Sequence, residues 1–188
     1  MGIIYREVFK EELDKYDAVE MNFMVKSLYR LKNKGLQGFE LKEEKIDTPY
    51  IKDYRKYNNA VDYDKKFDIT NWRFFMAFDD LKPVGGATLV MKTKGVYMLD
   101  FKENLGALWD IRINNDYKNQ GIGSKLFDMV KNCAKSNGLK ELKIETQNVN
   151  VPACKFYSKQ GAKLKGIREQ VYQKEEQEEI QFLFYLDL

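Results

Sequence analysis

Residues 110–127 read DIRINNDYKNQGIGSKLF, and the organisation of the chain turns on this stretch. Ile111 and Ile113 alternate with polar neighbours, as in a strand, and the polar run that follows reads as a loop. Gly121 and Gly123 then open an apolar-periodic segment in which Ile122, Leu126, Met129, Val130 and Cys133 share one helical face. A strand–loop–helix of this kind turns successive backbone N–H groups outward in front of the positive end of a helix, so a phosphate can be held by main chain alone. Glycine lets a ligand approach without meeting a Cβ. A lone Gly-x-Gly is equally a glycine turn before a helix. Two nucleotide-binding patterns are excluded: Leu126 stands where the dinucleotide fingerprint needs a third glycine, and the P-loop needs four residues between its glycines.

Downstream, the helix is expected to stop at Asn137–Gly138, and ELKIET (141–146) alternates as a strand. Asn150 is placed to cap a helix with Val151 and Pro152 in its first turn, running to about Gln160–Gly161. AKLKGIREQ (162–170) and EEIQFLFYLDL (178–188) supply two closing strands. Upstream, WRFFMAFD (72–79), LKPVGGATLVM (81–91), GVYMLDF (95–101) and ALWDIRI (107–113) read as an antiparallel meander over 72–113. Residues 1–35 read as a short strand and a helix, because Ala18, Met21, Val25, Leu28 and Leu31 recur at steps of three and four. Residues 36–70 are charged and tyrosine-rich, with short helical pieces expected and a boundary at Pro49. The order implies an α+β domain on a mixed sheet, one domain over 1–188.

Composition narrows the chemistry. The chain is 44% hydrophobic and 32% charged, the balance of a protein with a core. Its 32 basic and 29 acidic residues leave +3, with no basic patch, so nucleic acid is not an expected partner. No apolar run approaches a membrane span, and MGIIYREVFK lacks a signal peptide's apolar stretch. The two cysteines, Cys133 and Cys154, match no metal or redox spacing, which suits a reducing compartment, and a cytoplasmic location is expected. Histidine is absent, which removes Ser–His and Cys–His nucleophilic systems and most zinc chemistry; no metal is expected. Proton transfer falls to Asp, Glu, Lys, Tyr or water.

A second segment, KIETQNVNVPACKFYSKQGA (143–162), joins the first. Lys118-Asn119-Gln120-Gly121-Ile122-Gly123 at a helix start, followed by a strand ending at Glu145, Asn150 at a second helix start, Phe156-Tyr157 and Gly161, resembles the GNAT acetyltransferase superfamily. Lys118 departs from that family's usual Arg or Gln. WDIRI, DYKNQGIGSKLF and ETQNVNVPACKFY over 107–165 are most similar to its streptothricin acetyltransferase branch, with weaker likeness at 43–54 and 179–188. The resemblance implies the GNAT fold, a mixed and mostly antiparallel sheet of about six to seven strands flanked by helices. It also implies acetyl-CoA as cosubstrate and an amine as acceptor. A small cationic antibiotic of streptothricin type is the first candidate. A polyamine-like metabolite or protein amine, or a non-catalytic acyl-CoA-binding module, are the alternatives; a homodimer is compatible with all of them.

The resemblance carries roles onto particular residues. Lys118, Gln120, Gly121, Ile122, Gly123, Ser124 and Lys125 would hold the coenzyme A pyrophosphate, chiefly through main-chain N–H groups. The backbone of Ile111, Arg112 and Ile113 would pair with the pantetheine, one N–H also polarising the thioester carbonyl. Asn150, Ala153, Phe156 and Tyr157 would complete the cofactor contacts, although Phe156 is expected to pack and Asn150 to cap its helix as well. Tyr157 shares a helical face with Asn150 and Cys154, and its phenol, of reference pKa ~10, suits protonation of a departing thiolate. Cys154 reads as filler on that face, since nothing would act as its base. Glu145 and Asp110 are the candidate general bases, each equally able simply to attract a cation. The acidic run Glu175–Glu179 reads as a solvated turn, with Glu179 near enough to the last strand to approach an acceptor. Tyr50, Tyr54 and Tyr57 either cover the acceptor mouth or pack.

Overall fold

The structure is a computed structural model that describes residues 2–57, 59–172 and 179–188. Its elements run β1 (Ile4–Val8), α1 (Leu13–Asp17), β2 (Asn22–Asn33), β3 (Phe39–Asp53), α2 (Tyr63–Lys66), β4 (Arg73–Asp79), β5 (Lys82–Met91), β6 (Leu105–Ile113), α3 (Ile122–Ser136), β7 (Glu141–Gln147), α4 (Val151–Lys159), β8 (Lys163–Arg168) and β9 (Gln181–Asp187). Seven strands follow the order β1-β4-β5-β6-β7-β9-β8, and β2 and β3 make a two-stranded sheet. The fold is α+β and its sheet is mostly antiparallel, as expected. The chain divides into two compact units, one of residues 1–22, 53–144 and 186–188, the other of 23–52 and 145–185.

In the first unit β1 pairs with β4, β4 with β5 and β5 with β6, all antiparallel, while β6 pairs with β7 in parallel over Leu105–Leu108. The meander forms because WRFFMAF and VGGATLVM are near-continuous apolar runs, and Phe74 to Phe78 and Val84 to Met91 are buried. Helix α3 lies on β4, β5 and β6. It buries Ile122, Leu126 and Val130 as expected, with Phe127 and Ala134 completing the face in place of the half-buried Met129 and Cys133. Asn137 caps its C-terminal end. GVYMLDF is not a strand. Tyr97–Leu99 is a 3-10 turn closed by left-handed Asp100 and Phe101, so the chain turns where a strand was expected.

In the second unit α4 packs on β8, and β8 and β9 pair antiparallel. The helix expected after β1 is confined to Leu13–Asp17, and residues 22–33 are the strand β2. The stripe at steps of three and four concealed a period of two: Met24, Lys26, Arg30 and Lys32 are exposed, while Val25 is buried and Ser27, Tyr29 and Leu31 are half-buried, with Leu28 half-buried out of step. Of the short helical pieces expected over 36–70, a 3-10 turn at Gly35–Gln37 precedes β3 and others follow it at Tyr54–Lys56 and Ala60–Lys66, while 39–53 is strand. Pro49 marks no boundary. It sits inside β3, where a two-stranded sheet leaves one edge without a ladder for its missing N–H to break.

Candidate active site

β6 carries a bulge. Thr88 faces Asp110 and Leu89 faces Leu108, so Trp109 is the extra residue on the β6 side. Beyond it, Asn114 donates its N–H to the Val84 carbonyl. In an antiparallel ladder the residues that bond across alternate, so Arg112 and Asp110 point their backbone groups toward β5. The N–H groups of Ile111 and Ile113 therefore point the other way. Pairing of β6 with β7 ends at Leu108↔Ile144, and β6 runs on past it through Ile113. The result is a strand end with outward main-chain donors, and the half-buried Ile111 and Ile113 side chains lie on the sheet.

The loop after β6 brings left-handed residues at Asn119 (φ 63) and Gly121 (φ 85) to the start of α3. A Cβ on Gly121 would meet nothing within 4 Å, so the glycine answers to its backbone angle and not to crowding. No side chain caps α3, and its ladder opens with Lys125 N–H to the Gly121 carbonyl at 3.1 Å. The first-turn N–H groups and the helix dipole together make an anion cradle. The flanking side chains brace the loop: Gln120 Nε2 donates to the Asp116 carbonyl at 2.9 Å, and Lys118 Nζ to Asn115 Oδ1 at 2.6 Å and the Asn22 carbonyl at 3.2 Å. Burial pulls the Lys118 ammonium below its ordinary pKa. These two contacts tie the loop to itself and to the start of β2.

Asp110 is the centre of a buried cluster. Oδ1 accepts from Tyr16 Oη at 2.6 Å and Arg112 Nε at 3.3 Å, and Oδ2 from Arg112 Nη2 at 2.7 Å and Tyr63 Oη at 3.0 Å. The Asp110 and Arg112 side chains are 2% and 1% exposed. Thr88 Oγ1 donates to Tyr16 Oη at 2.8 Å, and Asp17 approaches Arg112 Nη1 at 3.3 Å. Burial and the Asp110 charge push both phenols well above the usual tyrosine range. Burial opposes the Arg112 charge, but Asp110 and the two tyrosines hold the guanidinium above its ordinary value. These bonds occupy both oxygens of Asp110 and set its charge against the buried Arg112 guanidinium.

In the second unit Glu145 is half-buried on β7 and accepts from Tyr172 Oη at 3.2 Å, while Tyr172 accepts from Gln147 Nε2 at 3.1 Å. Asn148 ties three segments. Its Nδ2 donates to the Tyr29 carbonyl at 3.1 Å, its own carbonyl accepts from Tyr29 N–H at 3.0 Å, and its Oδ1 accepts from Ile180 N–H at 2.9 Å. Asn150 caps α4 as expected, accepting from Ala153 N–H at 3.2 Å. Val151, Cys154 and Tyr157 form the buried face of that helix, and the Tyr157 ring meets Phe184 at 6.0 Å and Phe156 at 5.6 Å. Burial raises the Cys154 thiol to about 12, so it carries no thiolate at neutral pH. Glu179 is held by Lys52, whose Nζ lies 2.6 and 2.7 Å from its two oxygens, and both side chains are at most 10% exposed. That carboxylate has a close counter-ion in Lys52. The rest of the acidic run, Glu175, Glu176 and Glu178, lies outside the described residues. Tyr50 and Tyr57 are exposed and Tyr54 is half-buried.

Sequence reasoning missed Tyr16, Tyr63 and Tyr172, which approach their carboxylates from distant segments and leave no local spacing. The described residues hold no group of three His, Cys, Asp or Glu side chains able to bind a metal ion, and no helix among them is long and apolar enough to cross a membrane.

The cradle and the bulged strand acquire their meaning from comparison. The profile of the acetyltransferase (GNAT) family matches residues 40–162. The chain belongs to the acetyltransferase (GNAT) family. It is 27% identical over 161 residues to a streptothricin acetyltransferase of Escherichia coli, 85% of this chain and 81% of that protein. It is 26% identical over 117 residues to streptothricin acetyltransferase A of Bacillus subtilis, 62% of this chain and 61% of that one. Among solved structures it matches one from Bacillus anthracis str. Ames, described as a streptothricin acetyltransferase in complex with acetyl coenzyme A, with TM-score 0.78 and 25% identity over 100% of both chains. Nourseothricin acetyltransferase superposes with TM-score 0.78 at 21% identity, covering 100% of this chain and 99% of that one, a likeness of fold. This GNAT chain is an acetyltransferase with acetyl-CoA as its donor. Its uncapped helix start after left-handed Gly121 fits a pyrophosphate, and the outward Ile111 and Ile113 amides fit an amide-bearing extended arm.

Proposed function

We propose that the acceptor is a polycationic small molecule of streptothricin type, acetylated on a primary amine in the cytoplasm, where acetyl-CoA is supplied. The observation that carries this reading is the match to a streptothricin acetyltransferase over most of both chains, 85% and 81%. Residues 120–125 and 118 hold the donor's phosphates, the first group by main chain and Lys118 by bracing the loop. The backbone of Ile111–Ile113 lies along its pantetheine arm, with Asn150, Ala153 and Phe156 as further contacts. When bound, the donor supplies an electrophilic thioester carbonyl and a thiolate leaving group. The chain's part is to orient and to move protons. An outward β6 N–H donates to the carbonyl oxygen as its negative charge grows, and Tyr157 Oη carries the proton that the sulfur takes up. Glu145 accepts the ammonium proton, directly or through a water. It suits that part better than Asp110, because its side chain is half-buried, whereas Asp110 is enclosed beside the Arg112 guanidinium.

The test is the acetylation rate with streptothricin, a polyamine, an aminoglycoside and a peptide at fixed acetyl-CoA. Streptothricin is expected to be fastest, and preference for the peptide would refute the acceptor. Glu145→Gln separates base from attractor. A lost base persists in high salt and eases as pH rises. A lost attractor weakens with salt, since exposed charges are screened over ~10 Å at 0.1 M.

A further inference from the structure

Asp110 and Arg112 are the residues immediately before and after Ile111, whose N–H points away from the β5 ladder. Here β6 is held by β5 over Asp110↔Thr88 to Ile113↔Gly85, just past the bulge at Trp109 and the last β7 pairing at Leu108. The side chains add a second support to that ladder. Asp110 and Arg112 join each other at 2.7 Å, Tyr16 and Tyr63 reach Asp110 from α1 and α2, and Asp17 reaches Arg112. The Arg112 guanidinium also lies 4.6 Å from the centre of the Tyr16 ring. Each flank of the Ile111 peptide is thus tied to a helix outside the sheet.

We infer that Tyr16 and Tyr63 are positioning residues for acetyl transfer: by filling the oxygens of Asp110 they fix the bulged end of β6, and with it the direction of the Ile111 N–H. The inference rests on the acetyl-transfer reading given above. It makes Asp110 a clamp in place of a proton acceptor. A buried ion pair is a weak source of net stability but a strong orienting one when its remaining lone pairs are bonded, as they are here. Both phenols keep their protons at any working pH, so the clamp stays closed across the activity range. The groups facing Asp110 are Tyr16, Tyr63 and Arg112, with Asp17 behind the last.

The experiment is steady-state kinetics of Tyr63→Phe and Tyr16→Phe, assayed well below their melting temperatures, with acetyl-CoA affinity measured by calorimetry. Tyr63→Phe removes one bond and keeps the ring against Trp72, at 5.2 Å. A misaimed group of this kind costs about 10- to 100-fold in turnover. The expected result is a fall in kcat of that order, an acetyl-CoA Kd within about twofold of wild type, and an acid limb of the kcat–pH profile left in place. Thr88→Val, which acts on Tyr16 at one remove, serves if a tyrosine variant does not fold, and a smaller fall in kcat is expected. Unchanged kcat beside lowered stability would overturn the inference, because the cluster would then be structural only. An acid limb displaced in these variants would also overturn it, since Asp110 would then be titrating. Absence of acetylation of any amine by the wild-type protein would instead refute the functional reading on which it stands.

Discussion

Gly86→Ala tests the cluster through its tightest contact. A Cβ on Gly86 would lie 2.6 Å from Tyr16 Cε2, 3.0 Å from Cδ2 and 3.1 Å from Cζ. The ring has no room to withdraw. Tyr16 is fully buried, packs edge-on against Phe74 at 6.1 Å, and is pinned at its hydroxyl by Asp110 and Thr88. Overpacking of a full core costs ~1–3 kcal/mol, and displacing the hydroxyl from a charged acceptor costs a further ~1–2 kcal/mol. The sum, about 2–5 kcal/mol, corresponds to a Tm lower by ~5–15 °C for a chain of this size. Urea and thermal unfolding of Gly86→Ala would measure it. A double-mutant cycle with Tyr16→Ala assigns the cause, because removing the ring opens the space and the glycine substitution should then cost less than ~1 kcal/mol. Gly86→Ala within ~0.5 kcal/mol of wild type would refute the argument. So would a cost that stays undiminished in the Tyr16→Ala background, which would place the strain in the backbone.

Gly123→Val places a branched side chain in the first turn of the uncapped helix α3. It should weaken coenzyme A binding by more than about tenfold in calorimetry while the protein stays folded. Tyr157→Phe should lower turnover by ~10²–10⁴-fold with little change in coenzyme A affinity; normal turnover, with chemistry shown to be limiting, would leave Tyr157 as a packing residue. Cys154 titrates near 12 when folded, above its ordinary 9.0, so it stays protonated in the fold while the unfolded chain ionises first. Its contribution is therefore complete below pH 9 and is lost as pH climbs toward 12. Cys154→Ala should flatten that part of the stability–pH curve and keep turnover at pH 7, and an unchanged curve would mean the thiol is hydrated.

Much of the candidate site was legible because its signals are local. The stop of α3 at Asn137, the cap at Asn150 and the left-handed Gly121 are each fixed by residues within a turn of one another. Short-range hydrogen bonds and steric limits on φ decide such features wherever the segment is placed. The same holds for the apolar runs of β4 and β5. The strands β2 and β3 could not be read this way, since a strand's donors and acceptors are satisfied by another segment. Steps of three and four among Val25, Leu28 and Leu31 fitted a helix as well as a strand until Asn148 was found bonded to Tyr29 across 119 residues. The roles of the carboxylates were likewise decided only in three dimensions. Asp110 meets Tyr16 across 94 positions and Tyr63 across 47, and Glu179 meets Lys52 across 127. The sequence by itself determined the glycine turn that opens α3 and the asparagine that caps α4. Tertiary structure decided which acids have counter-ions, because a buried charge takes its partner from whatever segment folding brings beside it, and distance along the chain leaves no periodic trace.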